Sequence, residues 1–261
     1  MRARGPSAWR AVRTAAAGLA DLLLPNVCAA CRADDATAEG LCEDCSVRLL
    51  TLVALPYCMR CGGTLGPNVQ PRPDGCGACD TTLPRFARLV RLGPYADPLR
   101  GVIRELKYRR RDTMRARIGR LLAQAVAARQ DDPPLDLVLS VPMHWRRRLA
   151  RGCDHARALA TAVAAELKLP LGDELIRVRH TPPQVHLSRT RRIENVRGAF
   201  AVRRAGSIGG ARVLLVDDVT TTGATANEAA RTLLGAGASC VALAVVAKAE
   251  PPTAYAQHWI R

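Results

Sequence analysis

The sequence has few aromatic residues: two Phe, three Trp and four Tyr among 261 residues, or 3%. Proteins that bind single-stranded nucleic acid mainly by base stacking depend on these residues, so the composition weighs against that class. The chain also lacks any run of about 18 to 20 uninterrupted apolar residues, so we predict no membrane-spanning helix. Hydrophobic residues nevertheless make up 48% of the chain, which excludes wholesale disorder and is enough for a folded core.

Acidic residues are also scarce relative to basic ones. The 39 Lys and Arg outnumber the 23 Asp and Glu, which gives a formal net charge of +16. A strongly basic protein attracts phosphates, nucleic acids or anionic membranes, although its charge carries no information about the fold. Because stacking residues are few, contact with phosphate groups is the simpler expectation.

A secretory signal is not expected at the N-terminus. Residues 1–25 contain arginines followed by an alanine-rich run, which superficially resembles such a signal. Asp21 interrupts this run, and no clean small-residue cleavage site precedes the cysteines that follow. We therefore predict a short amphipathic helix within residues 1–25 and a cytoplasmic protein.

Eight of the ten cysteines occur as four CxxC pairs in one segment of the chain. Two residues between the thiolates let one tight turn direct both sulfurs at a single ion, and two such turns complete a tetrahedral zinc site. The predicted zinc ligands are Cys28, Cys31, Cys42, Cys45, Cys58, Cys61, Cys76 and Cys79. We expect about two zinc ions, with a structural role because four protein ligands leave no open position for catalysis. The segment has few branched apolar residues, so the metal would contribute directly to its folding free energy.

The CxxC pairs have two other interpretations, a disulfide framework and a redox motif. Disulfides require an oxidising compartment, and redox CxxC motifs usually occur singly beside a βαβ unit, so we prefer zinc. The simplest pairing places the first four cysteines on one ion and the last four on another, and an interleaved pairing stays open. Cys153 and Cys240 are isolated, and Cys240 lies in an apolar run that predicts a buried small hydrophobic residue.

From about residue 85, short apolar runs alternate with helical patterns, which is typical of an α/β fold with a largely parallel sheet. Strands are predicted at residues 135–142, 175–179, 212–218 and 240–248. Helices are predicted at residues 97–108, 113–130, 154–168 and 223–236. Such folds bind ligands at the carboxyl ends of their strands, so the functional site is expected there.

The most informative segment is VLLVDDVTTTGAT at residues 213–225. Four apolar residues predict a buried strand, Asp217 and Asp218 follow it, and a hydroxyl-rich turn containing Gly223 leads into a helix. Such a turn directs backbone N–H groups and Thr hydroxyls at one point and forms an anion site. The carboxylates would repel that anion but can accept hydrogen bonds from neutral hydroxyls beside it. A phosphorylated sugar satisfies both halves; the alternative is an acidic strand end followed by a Thr-rich helix cap.

This segment resembles the phosphoribosyl pyrophosphate (PRPP) signature of type I phosphoribosyltransferases. Together with the four CxxC pairs, it makes the chain similar to the ComF family of competence-associated proteins over roughly residues 20–250. Further matching segments are residues 19–31, 99–111, 141–152 and 184–200.

The resemblance implies an α/β protein with a type I phosphoribosyltransferase fold, a parallel sheet flanked by helices with a small hood. A cysteine-rich double zinc-ribbon domain would precede it. The implied division is an N-terminal helix at 1–25, a double zinc ribbon at 26–82, a phosphoribosyltransferase-like domain at 83–250 and a C-terminal tail at 251–261.

The resemblance also implies roles for site residues. Asp217 and Asp218, as the catalytic pair, would hold the ribose 2′- and 3′-hydroxyls. Mg²⁺ would accompany PRPP and be held mostly by pyrophosphate, water and ribose hydroxyls. The 5′-phosphate would be bound by Thr221, Thr222, Gly223, Ala224 and Thr225. The pyrophosphate would be bound by Arg146, Arg147, Arg148 and Arg151, for which a solvated basic helix start is the alternative.

Two departures from the family pattern limit what the resemblance implies. Many members read RGFNQ where this chain has RGCDH at residues 151–155, so the aromatic and amide side chains of that motif are absent. Purine-salvage phosphoribosyltransferases carry an acid three residues after the acidic pair, and that position here is Thr221. The sequence retains the phosphoribosyl site but lacks the most recognisable general acid or base of purine salvage.

A basic segment within residues 104–117 has three interpretations: a flap that closes on pyrophosphate, a track for a nucleic-acid backbone, and a solvated helix face. Its candidate residues are Arg104, Lys107, Arg109, Arg110 and Arg111. The resemblance favours nucleic acid, because ComF proteins are associated with single-stranded DNA that enters during natural transformation. The hood that shapes the acceptor pocket would include Gln184, Arg191, Arg192 and Asn195, for which helix capping is the alternative. The five histidines lack metal-binding spacing and are interpreted as surface or hydrogen-bonded residues.

Two functions follow from these features. The preferred one is a PRPP-binding, phosphoribosyltransferase-like protein of natural competence and DNA uptake, with single-stranded DNA and other competence proteins as candidate partners. The alternative is a true phosphoribosyltransferase of nucleotide metabolism, in which an unidentified acceptor attacks the anomeric carbon of PRPP and releases pyrophosphate.

Overall fold

The structure of the chain is a computed structural model. It describes residues 27–37, 39–66, 69–70, 75–77, 79, 84–108, 112–129, 133–144, 153–182 and 188–250. The helix predicted within residues 1–25 and the tail predicted at 251–261 lie outside the described residues, so the predicted domain boundaries stay a prediction. Among the residues described, no helix is long and apolar enough to cross a membrane.

The described part of the chain contains both strands and helices in alternation. The strands are β1 (Arg88–Pro94), β2 (Leu137–Ser140), β3 (Leu175–Arg177), β4 (Phe200–Val202), β5 (Arg212–Thr220) and β6 (Cys240–Lys248). The helices are α1 (Glu43–Ala54), α2 (Leu99–Tyr108), α3 (Asp112–Ala127), α4 (His155–Leu167), α5 (Arg189–Val196) and α6 (Ala224–Gly235), with a 3₁₀ turn at Ala205–Ile208.

A four-stranded parallel sheet lies at the centre, with the strand order β1-β6-β5-β2. Alternate residues of β5 face two cores: Leu214 and Val216 pack with α1 to α4, whereas Val213 and Leu215 pack with α6 and the β3–β4 pair. Because helices cover both faces, the central strands are apolar at nearly every position. The predicted largely parallel α/β architecture is therefore confirmed.

The segment predicted as a strand at residues 175–179 lies outside this sheet. Its first three residues form β3, which pairs antiparallel with β4 in a separate two-stranded sheet. This small sheet and α5 form the region where the hood was expected.

The cysteine-rich segment packs directly on the larger domain. Leu49 and Leu52 of α1 belong to the same core as α2 and α3. The approach is close at two glycines: a Cβ at Gly93 would lie 3.2 Å from the Cβ of Leu52, and a Cβ at Gly101 would lie 2.6 Å from the carbonyl oxygen of Ala30. Side chains at either position would push the two parts of the molecule apart.

Candidate functional site

The turn between β5 and α6 presents helix N–H groups to one edge of the sheet. The sequence folds this way because β5 is apolar and buried from Val213 to Val216, and Gly223 then adopts a left-handed conformation with φ of +77° immediately before α6. Gly223 provides no side-chain cap, so the positive end of the α6 dipole faces this edge of the sheet and favours an anion there. The hydroxyl of Thr222 accepts a hydrogen bond from the N–H of Ala224 at 3.4 Å.

Asp217 and Asp218 are partly buried at the end of β5. An oxygen of Asp217 accepts a hydrogen bond from the N–H of Asp218 at 2.9 Å, and an oxygen of Asp218 accepts one from the N–H of Val219 at 2.6 Å. Burial, reinforced by the charge of Asp218, raises the pKa of Asp217 well above its ordinary value. Holding two carboxyl groups this close and partly buried costs folding free energy, which is typical of a binding site.

Lys107 of α2 provides the cation that faces this pair. Its Nζ lies 2.8 Å from Oδ2 of Asp218. Burial of the amine opposes its charge, but the attractions to Asp218 and Asp217 together outweigh burial and raise the pKa of Lys107. Lys107 is therefore a charged residue of the site at neutral pH and contacts one of the predicted ribose ligands.

A pocket of about 250 Å³ encloses these groups. It combines two cations, two carboxyl groups and the start of α6, which suits an anionic ligand that also carries hydroxyls. The lining residues are Lys107, Arg192, Asp217, Asp218, Val219, Thr220, Thr221, Gly223, Ala224, Thr225 and Ala226.

The structure brings together most of the site residues predicted on β5 and the following turn. Thr222 contributes through its hydrogen bond to the N–H of Ala224, and Arg104 lies exposed on α2. Outside the described residues lie the predicted pyrophosphate ligands and three predicted basic residues, namely Arg146, Arg147, Arg148, Arg151, Arg109, Arg110 and Arg111.

Sequence reasoning missed Lys248 at the end of β6. Its amine donates a hydrogen bond to the carbonyl oxygen of Thr221 and lies 3.3 Å from the carbonyl oxygen of Ala249. The available signal was topological: β6 runs parallel to β5, and Thr220 pairs with Lys248, so both strands end at the same edge of the sheet.

The residues predicted for the hood have different roles. Arg192 lines the pocket, whereas the side-chain amide of Asn195 donates to the carbonyl oxygen of Pro182 at 3.1 Å. Arg191 is exposed, and Gln184 lies outside the described residues. The hood is attached to α6 through Glu228, which accepts a hydrogen bond from the N–H of Gly198 at 2.6 Å.

Among the described residues, no histidine belongs to a group of side chains that could hold a metal ion. The rings of His144 and His180 lie edge to face with centroids 5.0 Å apart. Nδ1 of His155 lies 3.3 Å from Sγ of Cys153, so the RGCDH motif forms a thiol–imidazole contact at the start of α4. Cys240, predicted to be a buried small hydrophobic residue, is only half-buried at the start of β6.

The eight CxxC cysteines form two clusters. Within each cluster the sulfur atoms lie within 4.8 Å of one another, and the pairing is sequential: Cys28, Cys31, Cys42 and Cys45 form the first cluster, and Cys58, Cys61, Cys76 and Cys79 the second. A tetrahedral site with Zn–S bonds of about 2.3 Å requires sulfurs about 3.8 Å apart.

The observed sulfur separations fit zinc. Sγ of Cys31 lies 3.6 Å from that of Cys42, and Sγ of Cys61 lies 3.7 Å from that of Cys76. Both distances are far longer than a disulfide bond of about 2 Å. Burial opposes ionisation of Cys28, but hydrogen bonds from backbone N–H groups lower its pKa to about 6, whereas burial and the neighbouring thiols raise the pKa of Cys45.

Comparison with known families agrees with both parts of this description. A double zinc ribbon domain matches residues 19–80, and a phosphoribosyl transferase domain matches residues 154–258. DNA utilization protein YhgH of Salmonella typhi is 36% identical over 225 residues, which cover 84% of this chain and 96% of that protein. Competence protein F of Haemophilus influenzae is 32% identical over 212 residues, which cover 79% of this chain and 90% of that protein. The chain belongs to the ComF family. The zinc-ribbon and phosphoribosyltransferase folds implied by the resemblance to ComF proteins are confirmed.

Solved structures resemble this ComF protein over part of its length. The B. subtilis glutamine PRPP amidotransferase is 24% identical with a TM-score of 0.37, over 54% of this chain and 30% of that chain. The Leishmania donovani adenine phosphoribosyltransferase is 20% identical with a TM-score of 0.34, over 62% of this chain and 70% of that chain. With scores this low, the type I phosphoribosyltransferase fold is assigned from the family match and the sheet.

Proposed function

We propose that this ComF protein is a cytoplasmic PRPP-binding protein of natural competence and DNA uptake. The observation that carries the proposal is the pocket in which both carboxyl groups and the start of α6 meet. A phosphate alone would offer no hydroxyls to the carboxyl oxygens, and a neutral sugar would offer no anion to the positive end of the α6 dipole. A sugar phosphate satisfies both, with its 5′-phosphate in the turn at residues 221–225 and its ribose hydroxyls against Asp217 and Asp218.

The pyrophosphate of PRPP would extend towards the cations of the site. Lys107 and Arg192 line the pocket, and the arginines at residues 146–148 and 151 follow β2, whose carboxyl end lies at the same edge of the sheet as that of β5. Lys107 also offsets the charge of Asp218, which would otherwise repel a bound phosphate ester.

The donor set fits magnesium that arrives with PRPP better than magnesium held by the protein. Asp218 is already paired with Lys107, and the raised pKa of Asp217 disfavours its charged form. Oxygens of pyrophosphate, water and ribose would therefore supply most of the ligands. When bound, Mg²⁺ would neutralise charge on the pyrophosphate.

The competence role is supported by the relatives. Proteins named DNA utilization protein and competence protein F align with most of this chain, including both the zinc ribbons and the phosphoribosyltransferase domain. Single-stranded DNA and other competence proteins are the partners proposed for it.

A true phosphoribosyltransferase with an unidentified acceptor is a second candidate function. The observation that favours it is the pair of pocket cations, Lys107 and Arg192, which would stabilise pyrophosphate as it leaves the anomeric carbon. Thr221 stands where purine-salvage enzymes carry an acid. The acceptor would therefore have to react without a general acid or base at that position.

Calorimetry with PRPP and Mg²⁺ tests the binding site. The double variant Asp217→Ala, Asp218→Ala is expected to lose binding. Asp173→Asn is the matched control, because Asp173 is an exposed acid 3.5 Å from Arg203 on the surface. Binding that persists in the double variant at the affinity of the wild type would refute the site assignment.

Measuring pyrophosphate release separates the two candidate functions. Wild-type protein would be incubated with PRPP, Mg²⁺ and a panel of bases, amines and nucleic acids. Release that depends on one acceptor and is lost in Asp217→Ala, Asp218→Ala identifies a transferase. PRPP binding without release against the whole panel supports a binding protein.

A further inference from the structure

Three consecutive residues at the end of β6 contact both the phosphate turn and the zinc ribbon. We call Lys248, Ala249 and Glu250 the strap. The amine of Lys248 donates to the carbonyl oxygen of Thr221, and the N–H of Ala249 donates to the carbonyl oxygen of Thr220 at 2.8 Å. The first two strap residues thus hold the chain where it enters the turn.

The third strap residue holds the second zinc cluster. Oε1 of Glu250 accepts a hydrogen bond from the N–H of Thr64 at 2.7 Å, and its Oε2 accepts one from the Thr64 hydroxyl at 2.8 Å. Thr64 directly follows a CxxC turn in which the carbonyl oxygen of Gly63 accepts from the N–H of Cys58 and the N–H of Gly63 donates to Sγ of Cys61. A single carboxylate therefore connects the strap to the backbone next to two zinc ligands.

A buried arginine fixes this connection. The side chain of Arg91 is 0% exposed, and it donates to Glu250 at 2.8 Å and to the Thr64 hydroxyl at 2.8 Å. Burial opposes its charge and lowers the pKa of Arg91, although Glu250 counteracts this. Because a buried charge that loses its partner is strongly destabilising, the arginine, the carboxylate and the threonine have little freedom to move apart.

We infer that Lys248 and Glu250 are positioning residues through which the second zinc cluster holds the phosphate turn in its binding conformation. The carbonyl of Thr221 belongs to the peptide group that joins Thr221 to Thr222, and Thr222 and Gly223 then lead into α6. Fixing this carbonyl by Lys248 directs the following N–H groups towards the pocket before any ligand binds. Only the identity of the ligand in this inference rests on the proposed PRPP function.

The coupling is also reciprocal. If metal in the second cluster favours the binding conformation of the turn, a ligand in the turn must favour retention of that metal. The first cluster has no part in this path: it lies against α2, where Arg32 pairs with Glu105 at 2.7 Å.

Hydrogen exchange of the zinc-loaded full-length protein tests the inference without any ligand. In Lys248→Met, the amides of residues 221–225 are expected to exchange on the order of tenfold faster than in the wild type, as for the loss of one charge-assisted hydrogen bond. Lys248→Arg restores a cationic donor and is expected to restore most of the protection. Arg203→Met, which removes an exposed cation, is the matched control and is expected to leave these amides unchanged.

Zinc release to a chromogenic chelator tests the ribbon end of the strap. In Glu250→Gln and the milder Thr64→Val, one of the two zinc ions is expected to leave faster while the other keeps its wild-type rate. In the wild type, PRPP with Mg²⁺ is expected to slow the release of the same ion, the one that these variants lose faster. The effect of PRPP on its release is expected to be smaller in Lys248→Met.

The outcomes separate the two claims. If the wild type fails to bind PRPP but Lys248→Met and Glu250→Gln still loosen the turn, the proposed function is wrong and the strap stands. If PRPP binds, and both variants keep wild-type exchange of residues 221–225 and wild-type zinc release, the strap is wrong. If Glu250→Gln fails to fold, Thr64→Val tests the same contact, because it removes the hydroxyl that binds Glu250 and keeps the size of the side chain.

Discussion

Asp217 is a partly buried carboxyl group beside a second carboxylate, and both surroundings raise its pKa. Its raised folded-state pKa means that the folded protein binds a proton more tightly than the unfolded chain does. Stability from this group is therefore present at low pH and is lost as the pH rises from the unfolded value, about 3.9, through the folded value. Because Asp217 lowers the stability of the folded protein at neutral pH, we expect its role to be in ligand binding.

The first prediction concerns Asp217→Asn. The amide cannot ionise, so the variant is expected to be more stable than the wild type at neutral pH by roughly 1 kcal/mol, or about 2 to 4 °C in Tm, while losing PRPP affinity. Thermal unfolding at about pH 5 and about pH 8 should show a larger advantage at the higher pH, because Asp217 carries more charge there. Asp173→Asn is the control, and a variant less stable than the wild type at both pH values would contradict this account.

Gly223 gives the second prediction. A Cβ there would lie 3.8 Å from the Phe86 ring, which is ordinary contact, so the cost of Gly223→Ala comes from its φ of +77°. That cost is about 1 to 2 kcal/mol, and relief of the strain would distort the turn. PRPP affinity measured by calorimetry is expected to fall about tenfold, the equivalent of 1.4 kcal/mol.

Gly209→Ala is the matched control for this glycine. Gly209 has a φ of −59°, and an added Cβ would make only an ordinary contact at 3.8 Å with the carbonyl oxygen of Gly206, so the methyl should change neither stability nor affinity. Equal affinities for the two alanine variants would show that the left-handed turn is not required for binding.

At the scale of elements, apolar runs made β5, β6 and α6 predictable from the sequence. Strand β1 was missed because Arg88 and Arg91 interrupt its apolar pattern. The buried Arg91 pairs with Glu250, 159 residues away, and a single sequence gives no sign of such a partner. Helix α5 was missed for a related reason: its sequence RTRRIENV lacks an apolar stripe, and it begins at a Ser188 cap.

The candidate site was predictable to the extent that it follows one strand. Asp217, Asp218 and the turn are contiguous, so one segment identified them and the structure encloses them in one pocket. Lys107 was noticed as one cation among many, and its contact with Asp218 depends on how α2 packs across the sheet. The position of Lys248 beside the turn depends on the pairing of β6 with β5, and the local sequence pattern does not reveal which strands pair.

The third prediction concerns the first zinc cluster as an element of the core. Cys42 caps α1, and Cys45 is buried with Leu49 and Leu52 in the core shared with α2 and α3. Cys45→Ser is expected to lower the zinc content from two ions to one and to destabilise the entire domain by several kcal/mol, since metal binding supplies folding free energy here.

Elemental analysis and thermal unfolding check this prediction together. Cys240→Ser is the control: Cys240 belongs to neither cluster, so this variant should keep two zinc ions and a near-native Tm. Retention of both ions in Cys45→Ser, or loss of one ion with an unchanged Tm, would show that the cluster is not part of the fold's stability.

At the scale of the whole molecule, the two zinc clusters support different sides of one pocket. The first lies against α2, which carries Lys107 to Asp218, and the second holds the strap, which fixes the turn. This arrangement gives the ribbons a role in shaping the site although neither cluster touches it.

The net charge of +16 is the other whole-molecule property, and it leads to the last prediction. This value already subtracts all 23 Asp and Glu, and we propose that the basic segment at residues 104–111 contacts single-stranded DNA. With few stacking residues, binding should depend on phosphates: neutralising about five of them would lower affinity about 100-fold between about 50 and about 200 mM salt.

Fluorescence titration of oligonucleotides across this salt range measures the effect. Affinities for dT and dA oligonucleotides should be similar, because contacts to the backbone are blind to the base. Joint replacement of Arg104, Arg109, Arg110 and Arg111 by Gln should flatten the salt dependence, whereas Arg100→Gln, on the same helix as Arg104 but paired with Asp97, should not. If the joint variant instead loses PRPP and keeps DNA, the segment is a flap over pyrophosphate, and a flat salt response in the wild type would remove DNA from the proposal altogether.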